Sequence, residues 1–533
     1  MKNISIISPY ETTIPLQVTA YRALMPRYGT VIVAAALKRA GYNVKVYCEL
    51  SGGRVDWDSV YASDVVCFSF LSFSSHKAYE YSERIRRHSK AIIIIGGSHA
   101  SVLPEECLSY CDYVIRNEGE ETIVELLSVL SMGSSVANVA GISYVNNAGR
   151  IIHNPNRAFI ANPDLIADPE LVEGYGPKNI SFYLKDMIQN GVPRFNMALA
   201  QGSRGCPFNC EFCFVKNELG NVYRVRDPEL VIREVVQSLR KLKTKYIFFV
   251  DNDFTLDRKR TLLILSKLEK IYSGDLDIFF FARIFIARDK ELMEAIERAG
   301  RACIAIGIES LKRDTLEAYK KLQTYKDIEE CLGLFRKYQV KIHGLFMCGA
   351  DTDSPGDIER AVELVSRYKV FNFGLCCLYD YPSKEKVLGF RQAIPDHRFI
   401  HKDWRFYSGN FVVQYPKRIR PSVLQQEMMA AYQKFYKLNS EMLRQYQPTR
   451  ITADSYIPIL RKAEAGLYDK DDTLREDMLP GPMAEERKLN IHLQRLSMAK
   501  ELAGFYWDNF TRKQSWEFLF SLFKKSSLND KTY

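Results

Sequence analysis

The chain has 533 residues, of which 47% are hydrophobic, 26% charged and 12% aromatic, so roughly three domains of ordinary size are expected. Apolar content near the globular average excludes a disordered or fibrous chain. The formal net charge of +10 weakly favours anionic partners, but its basic runs at 84–90 and 240–245 fall where helix surfaces are expected, so we predict no nucleic-acid binding.

The start of the chain turns polar too quickly for a signal peptide, and no stretch approaches the ~18 apolar residues of a membrane-spanning helix. We therefore expect a cytoplasmic protein. In the reducing cytosol, the twelve cysteines are expected to be core thiols, metal ligands or catalytic groups rather than a disulfide framework.

Residues 1–135 alternate short apolar runs with helical patterns. The predicted strands are 4–8, 44–47, 65–70, 92–95 and 113–115. The predicted helices are 30–40, 77–87, 104–109 and 121–130. Buried strands separated by crossover helices predict a doubly wound, Rossmann-like parallel sheet.

Ligands of such sheets bind beyond the carboxyl ends of the strands, where this chain is rich in small residues. These residues let a bulky ligand lie close to the backbone. They include Ser72, Ser74, Gly96, Gly97 and Ser98. Gly119 lies between Glu118 and Glu120, just before a helix. Composition alone leaves open the alternative that these are the ordinary glycine-rich turns of an open sheet.

A hairpin at 140–153 and a proline-containing linker are predicted to fill residues 136–195. Residues 196–391 then show six strand–helix units, which predict a partial (β/α)6 barrel. Its strands are 198–200, 246–250, 278–282, 302–308, 341–348 and 371–375. Its helices are 228–242, 258–271, 290–299, 314–321, 326–338 and 356–368. Residues 392–533 are predicted to form a mostly helical domain.

Three cysteines, Cys206, Cys210 and Cys213, follow the first strand of this barrel. Three thiolates within eight residues can hold one corner of an iron–sulfur cluster and leave the fourth iron for another ligand. Zinc is the competing interpretation. A structural zinc site takes four protein ligands, usually as two pairs, and no such pairs lie nearby in the sequence.

The CxxxCxxC motif, with Phe212 before the last cysteine, resembles that of radical S-adenosylmethionine (SAM) enzymes. Residues 248–254, 307–310 and 344–351 resemble strand-end motifs of the cobalamin-associated branch. Residues 96–122 are similar to the cobalamin (B12)-binding domain of that branch, which includes the class B methyltransferases. In the tail, three residues are similar to the anaerobic magnesium-protoporphyrin ester cyclase group: Asp403, Trp404 and Tyr407.

The resemblance implies a [4Fe-4S] cluster on the three cysteines, with SAM on the fourth iron. Acceptors for the SAM ammonium group would come from Asp251, Asn252 and Asp253, and Arg283 would donate to its carboxylate. The other SAM-binding residues implied are Phe212, Glu309 and Ser310. Cobalamin would lie against the small-residue loops and Glu118. His99, in one of these loops, would either contact the tail of the cobalamin or be an ordinary loop histidine.

The chain departs from the family pattern in two respects. No histidine has Asp two residues before it and Gly three after it, so the histidine that commonly lies on the lower face of cobalamin is missing. Cys376 and Cys377 replace the usual Pro-Gly-Thr turn, and they would face the substrate or fill the core.

The resemblance implies that a 5′-deoxyadenosyl radical abstracts hydrogen from an unactivated carbon and that methylcobalamin donates a methyl group to it. The substrate would be a small or lipid-like molecule, and a flavodoxin or ferredoxin would supply electrons. The alternatives are a radical cyclisation, rearrangement or coupling without methyl transfer, and a non-catalytic cluster protein.

Aromatic residues are interleaved with basic residues at 505–525. This pattern predicts either peripheral membrane contact through the C-terminus or packing over the other domains.

Overall fold

The computed structural model describes residues 1–10, 23–177, 195–380, 398–436, 453–454 and 456–479. Two mainly parallel sheets with flanking helices dominate this part of the chain. The predicted α/β fold class is confirmed, and the exact domain limits remain a prediction.

The first sheet has seven strands. In chain order they are β1 Asn3–Ser8, β2 Asn43–Cys48, β3 Val65–Ser69, β4 Ile92–Gly96, β5 Tyr113–Ile115, β6 Ile142–Val145 and β7 Ile151–His153. Their spatial order is β2-β1-β3-β4-β5-β6-β7. Pairing is parallel as far as β5, and the hairpin β6–β7 then adds two antiparallel strands at the edge. The predicted hairpin therefore extends this sheet.

Helices cover both faces of the first sheet. They are α1 Tyr28–Arg39, α2 Trp57–Tyr61, α3 Ser75–His88, α4 Ser98–Val102, α5 Pro104–Leu108 and α6 Glu120–Ser131. Alternate residues of one strand enter opposite cores: Ile94 packs into one hydrophobic cluster, and Ile93 and Ile95 pack into the other. Burial on both faces explains why the strand is a continuous apolar run.

The second sheet has six parallel strands in chain order. They are β8 Ala198–Ala200, β9 Tyr246–Phe249, β10 Asp277–Ala282, β11 Arg301–Glu309, β12 Lys341–Cys348 and β13 Asn372–Cys377. The accompanying helices are α7 Val215–Glu218, α8 Pro228–Leu242, α9 Arg258–Tyr272, α10 Lys290–Ala299, α11 Arg313–Ala318, α12 Tyr325–Phe335 and α13 Asp357–Arg367.

Side-chain caps fix where the longer barrel helices begin. Asp227, Asp257 and Asp289 accept hydrogen bonds from the first-turn amides of α8, α9 and α10. Thr324 and Asp327 form a capping box at α12. These local signals keep the loops between strands and helices in place at the barrel mouth.

The described C-terminal part begins at residue 398. Residues 398–420 contain one short 3-10 turn, Trp404–Phe406, and α14 Pro421–Tyr436 is the first long helix of this part. None of the described helices is long and apolar enough to cross a membrane. The aromatic and basic run at 505–525 lies outside the described residues.

Candidate active site

The three motif cysteines lie on residues 205–223, here named the cluster segment. A two-residue antiparallel ribbon closes its base, where Ser203–Arg204 pairs with Arg224–Val225. Gly205 has a φ of +79°, and a Cβ atom at this position would collide with the carbonyl oxygen of Val222. Only glycine therefore allows the chain to enter the segment so tightly.

Cys206 and Cys213 are partly exposed, Cys210 is buried, and all three are free thiols. Burial raises the pKa of Cys213 to about 11, so the thiol keeps its proton until a metal displaces it. In the described part of the chain, no three Cys, His, Asp or Glu side chains lie close enough together to hold one metal ion. Three free thiols on one short segment suit a cluster in which each cysteine binds a different iron.

The three polar residues that follow β9, which are Asp251, Asn252 and Asp253, lie in different environments. Asp251 is fully buried and accepts hydrogen bonds from the Gly202 amide at 2.7 Å and the Ser203 hydroxyl at 2.5 Å. Asp253 accepts from the amide and hydroxyl of Thr255, and burial raises the pKa of its carboxyl.

Asn252, between these two carboxylates, has a different kind of side chain. Its Nδ2 is buried and has no hydrogen-bond partner within the protein. An amide with an unmatched polar atom suits a polar ligand such as the amino-acid end of SAM. Asp251, in contrast, ties the end of β9 to the base of the cluster segment.

Arg283, which follows β10, contacts the cluster segment directly. The guanidinium carbon of Arg283 lies 3.8 Å from the ring centroid of Phe208, between Cys206 and Cys210. Its positive charge favours the thiolate of Cys206, although burial raises the pKa of that thiol overall. The stacking fixes a guanidinium group, which is able to bind a carboxylate, beside the cysteines.

Glu309 and Ser310 lie at the end of β11. Glu309 has a φ of +66°, which is unusual for a residue with a side chain, and its carboxylate pairs with the Lys321 ammonium group at 2.9 Å. The Ser310 hydroxyl accepts from the Lys312 amide. The ring of Phe212 meets Tyr319 edge to face at 5.0 Å between centroids. Sequence reasoning missed Lys321, because nothing in the motif marks the partner of Glu309.

A cavity of about 350 Å³ lies between the carboxyl edge of the first sheet and the start of the barrel. We name it the interdomain cavity. Predicted residues that line it are Gly96, Gly97, Ser98, Glu118 and Gly119. Two further lining residues, Thr30 and Asn117, have side-chain oxygens that are buried without a hydrogen-bond partner. Such oxygens fit a ligand with many polar groups, as cobalamin has.

Three other residues predicted to bind cobalamin are not among those that line this cavity. His99 is fully buried, with Nδ1 at 2.9 Å from the Ser72 hydroxyl and Nε2 at 2.9 Å from the Tyr79 hydroxyl. The Ser74 hydroxyl is buried without a hydrogen-bond partner. The ring of His99 also meets that of Trp404 in the C-terminal part.

Trp404 connects the first sheet to the C-terminal part. Its indole nitrogen donates to both carboxylate oxygens of Glu106, at 2.8 and 3.0 Å. The hydroxyl of Tyr79 donates to the same carboxylate at 2.9 Å. No sequence signal links Trp404 to Glu106, because the two residues are 298 positions apart.

The carboxylate of Glu118 connects the loop after β5 to the ribbon at the base of the cluster segment. It accepts from Arg204 at 3.0 Å, from Arg224 at 2.9 Å and from the Ile160 amide at 2.7 Å. Arg204 also pairs with Glu120 at 2.7 Å. Opposite charges separated by 86 and 106 positions give no signal in one sequence, so sequence reasoning missed both arginines.

The adjacent cysteines on β13 differ in environment. Cys377 is buried, and a Cβ atom on Gly349 would lie 3.3 Å from its sulfur atom. Cys376 is partly exposed as a residue, but the surrounding protein desolvates its thiol, which raises the pKa of that thiol to about 12. Cys377 therefore packs in the hydrophobic core, whereas Cys376 keeps some accessible surface.

A six-stranded parallel half-barrel with three free cysteines at its mouth, facing a doubly wound sheet across the interdomain cavity, is the arrangement expected of a radical SAM enzyme with a cobalamin-binding domain. Family models agree: residues 201–365 match the Radical SAM superfamily and residues 17–127 match the B12 binding domain. The chain therefore combines a radical SAM domain with a B12-binding domain. Its cofactors are a [4Fe-4S] cluster, SAM and cobalamin.

The chain is similar to curated relatives and to a solved structure over most of its length. Bacteriochlorophyllide d C-8(2)-methyltransferase of Chlorobaculum tepidum is 24% identical over 433 residues, covering 79% of this chain and 88% of the relative. Anaerobic magnesium-protoporphyrin IX monomethyl ester cyclase of Cereibacter sphaeroides is 24% identical over 352 residues, covering 62% and 55%.

The structure of TsrM from Kitasatospora setae, a radical S-adenosylmethionine methyltransferase with cobalamin and a [4Fe-4S] cluster bound, aligns with a TM-score of 0.60. It is 15% identical, and the alignment covers 87% of this chain and 99% of that chain. The likeness supports the fold of both domains together.

Proposed function

We propose that the protein is a cobalamin-dependent radical SAM methyltransferase that acts on an unactivated carbon of a small-molecule or lipid-like substrate. One observation carries the proposal: Glu218 and Leu219 of the cluster segment form part of the wall of the interdomain cavity. The segment that carries the cysteines therefore reaches the cavity that is predicted to hold cobalamin. When bound there, the cofactors supply a 5′-deoxyadenosyl radical for hydrogen abstraction and a methyl group for transfer.

In this proposal the chain itself binds and orients the cofactors. Cys206, Cys210 and Cys213 hold the cluster. Arg283, held by its stacking on Phe208, donates to the SAM carboxylate. Further contacts with SAM come from Phe212, Asn252, Asp253, Glu309 and Ser310. Asp251 acts through Gly202 and Ser203, because its own oxygens are already bonded to them.

The inner face of the half-barrel supports an apolar substrate. Phe249 and Phe280 pack with the buried Phe254 on the helix side of the sheet. Side chains alternate along a strand, so Phe248 and Phe281 face the barrel interior, where both remain partly exposed. Their ring centroids are 5.6 Å apart. Two curated relatives are named for tetrapyrrole substrates, which also have large apolar surfaces.

A second candidate is a radical cyclisation, rearrangement or coupling without methyl transfer. The similarity to the magnesium-protoporphyrin ester cyclase favours it, since that relative is as identical to this chain as the methyltransferase is. SAM with a deuterated methyl group separates the two candidates. The first transfers the heavy methyl group to a product, and the second forms 5′-deoxyadenosine without such a product.

A reductant such as flavodoxin or ferredoxin and a cytoplasmic location complete the proposal. All twelve cysteines are free thiols, which suits a reducing compartment.

We also propose peripheral membrane contact through residues 505–525, on their aromatic and basic sequence alone. Co-sedimentation with anionic vesicles of the full chain and of a chain ending at residue 502 tests this contact. Equal binding of both, or binding of neither, would refute it.

Replacement of the motif cysteines tests the function at its base. Changing Cys206, Cys210 and Cys213 to alanine should abolish iron and sulfide uptake and the formation of 5′-deoxyadenosine. Cys303→Ala is the matched control, because Cys303 is also a partly exposed free thiol but lies outside the motif. The assignment is wrong if the triple variant still takes up four irons with an unchanged spectrum.

A further inference from the structure

The ribbon at the base of the cluster segment has an unusual charge arrangement. Arg204 and Arg224 are directly opposite each other in its antiparallel pairing. Like charges in facing positions destabilise a pair of strands, and burial strengthens their repulsion. Both arginine side chains are at most 8% exposed. The ribbon therefore needs negative charge from another part of the chain.

That charge comes from the first domain. Glu118 bonds to both arginines, and Glu120 bonds to Arg204. The two carboxylates balance the two guanidinium groups, and each carboxylate side chain is 5% exposed. Glu118 and Glu120 lie at the start of α6, in the loop that lines the interdomain cavity. The loop thus completes a structure that belongs to the radical SAM domain.

The same contacts continue into the cavity wall. Arg224 donates from Nη2 to the carbonyl of Leu219 at 2.6 Å, and Leu219 lines the interdomain cavity. Gly220 packs so closely against the ring of Phe159 that a Cβ atom would lie 2.8 Å from it. Glu118 therefore contacts the arginine at each end of the cluster segment. One of these arginines, Arg224, also bonds to Leu219, in the part of the segment that faces the cavity.

We propose that Glu118 is a positioning residue that fixes the cluster segment against the interdomain cavity and so sets the separation of the two metal cofactors. This inference rests on the proposed function for the cofactors that occupy the two sites. Its structural part, the dependence of the cluster segment on Glu118, does not need cobalamin. The two parts are therefore tested by different measurements.

Hydrogen exchange tests the structural part on the full chain, with and without reconstitution. Glu118→Gln should raise amide exchange in residues 206–223 by about tenfold or more, and leave β9–β12 unchanged. Glu125→Gln is the matched control, because Glu125 pairs with Arg157 in the same domain and does not reach the ribbon. The double variant Glu118→Gln with Arg224→Gln restores charge balance and should recover part of the protection.

Electron paramagnetic resonance tests the cofactor part. In protein carrying cob(II)alamin and the reduced cluster, the magnetic interaction between the two centres depends on their separation. The interaction should differ between the wild type and Glu118→Gln, and be the same in the wild type and Glu125→Gln. If Glu118→Gln does not fold, the double variant replaces it in both measurements.

Unchanged exchange in residues 206–223, in Glu118→Gln or in the double variant that replaces it, would overturn the inference. So would an unchanged magnetic interaction in Glu118→Gln, or in the double variant that replaces it, when that variant holds both cofactors. A wild type that retains no cobalamin would instead refute the proposed function, and hydrogen exchange would still decide whether Glu118 positions the segment. The two failures are thus distinguishable.

Discussion

Phe208→Leu should weaken SAM binding without loss of the cluster. The guanidinium carbon of Arg283 lies 3.8 Å from the Phe208 ring centroid, and both residues are partly buried. A cation–π contact in such a setting contributes about 0.5–2 kcal/mol, which corresponds to roughly a 2- to 30-fold rise in the SAM dissociation constant. Leucine keeps the apolar character but removes the ring that orients the guanidinium group.

Isothermal titration of reconstituted protein with SAM measures the effect, after iron content shows equal cluster loading. Phe285→Leu is the matched control, because the guanidinium carbon of Arg288 lies 5.0 Å from the Phe285 ring centroid. Arg288 pairs with Asp327 and Glu330 on the outside of the barrel. Wild-type affinity in Phe208→Leu, or an equal loss in Phe285→Leu, would refute the role of the stacking.

Substitutions of Glu234, Gly205 and Asp353 give three further predictions. Glu234→Gln leaves the buried Arg226 without its carboxylate at 2.7 Å and should cost about 3–5 kcal/mol of stability, so an unchanged unfolding midpoint would contradict it. Gly205→Ala should prevent iron uptake, whereas Gly149→Ala, also at positive φ but with open space, should not; equal iron content in both would refute the steric argument.

Burial raises the pKa of Asp353 from 3.8 to about 6. Between these values the folded state holds a proton that the unfolded state has lost, so stability falls as pH rises through the window. Asp353→Asn should remove this part of the fall, and parallel unfolding profiles from pH 4 to 6 would contradict it.

The sequence was sufficient for most of the strands, the longer helices and the motif, because these depend on local patterns, but it did not indicate the short helices α2, α4 and α7. The predicted limits of strands 198–200 and 341–348 and of helix 228–242 agree with the structure, since apolar runs, the Asp227 cap and the following turn all act locally. The spacing of the three cysteines is likewise a local feature. These predictions needed no knowledge of which residues meet across the fold.

The roles of single polar residues were less accessible, because they depend on partners far along the chain. Asp251 bonds to an amide 49 positions away. The full burial of His99 depends partly on contact with Trp404 in the C-terminal part. A sequence shows that such residues are polar and lie at strand ends, but the choice between holding a cofactor and holding the protein together is made by tertiary packing.

Anaerobic reconstitution shows directly whether one chain holds cobalamin and cleaves SAM. The full chain is reconstituted anaerobically with iron, sulfide and hydroxocobalamin, desalted, and then given SAM and a reductant. We expect a retained cobalamin spectrum and formation of 5′-deoxyadenosine, with only the second lost when Cys206, Cys210 and Cys213 are replaced by alanine. A wild-type protein that keeps no cobalamin and leaves SAM uncleaved would contradict it.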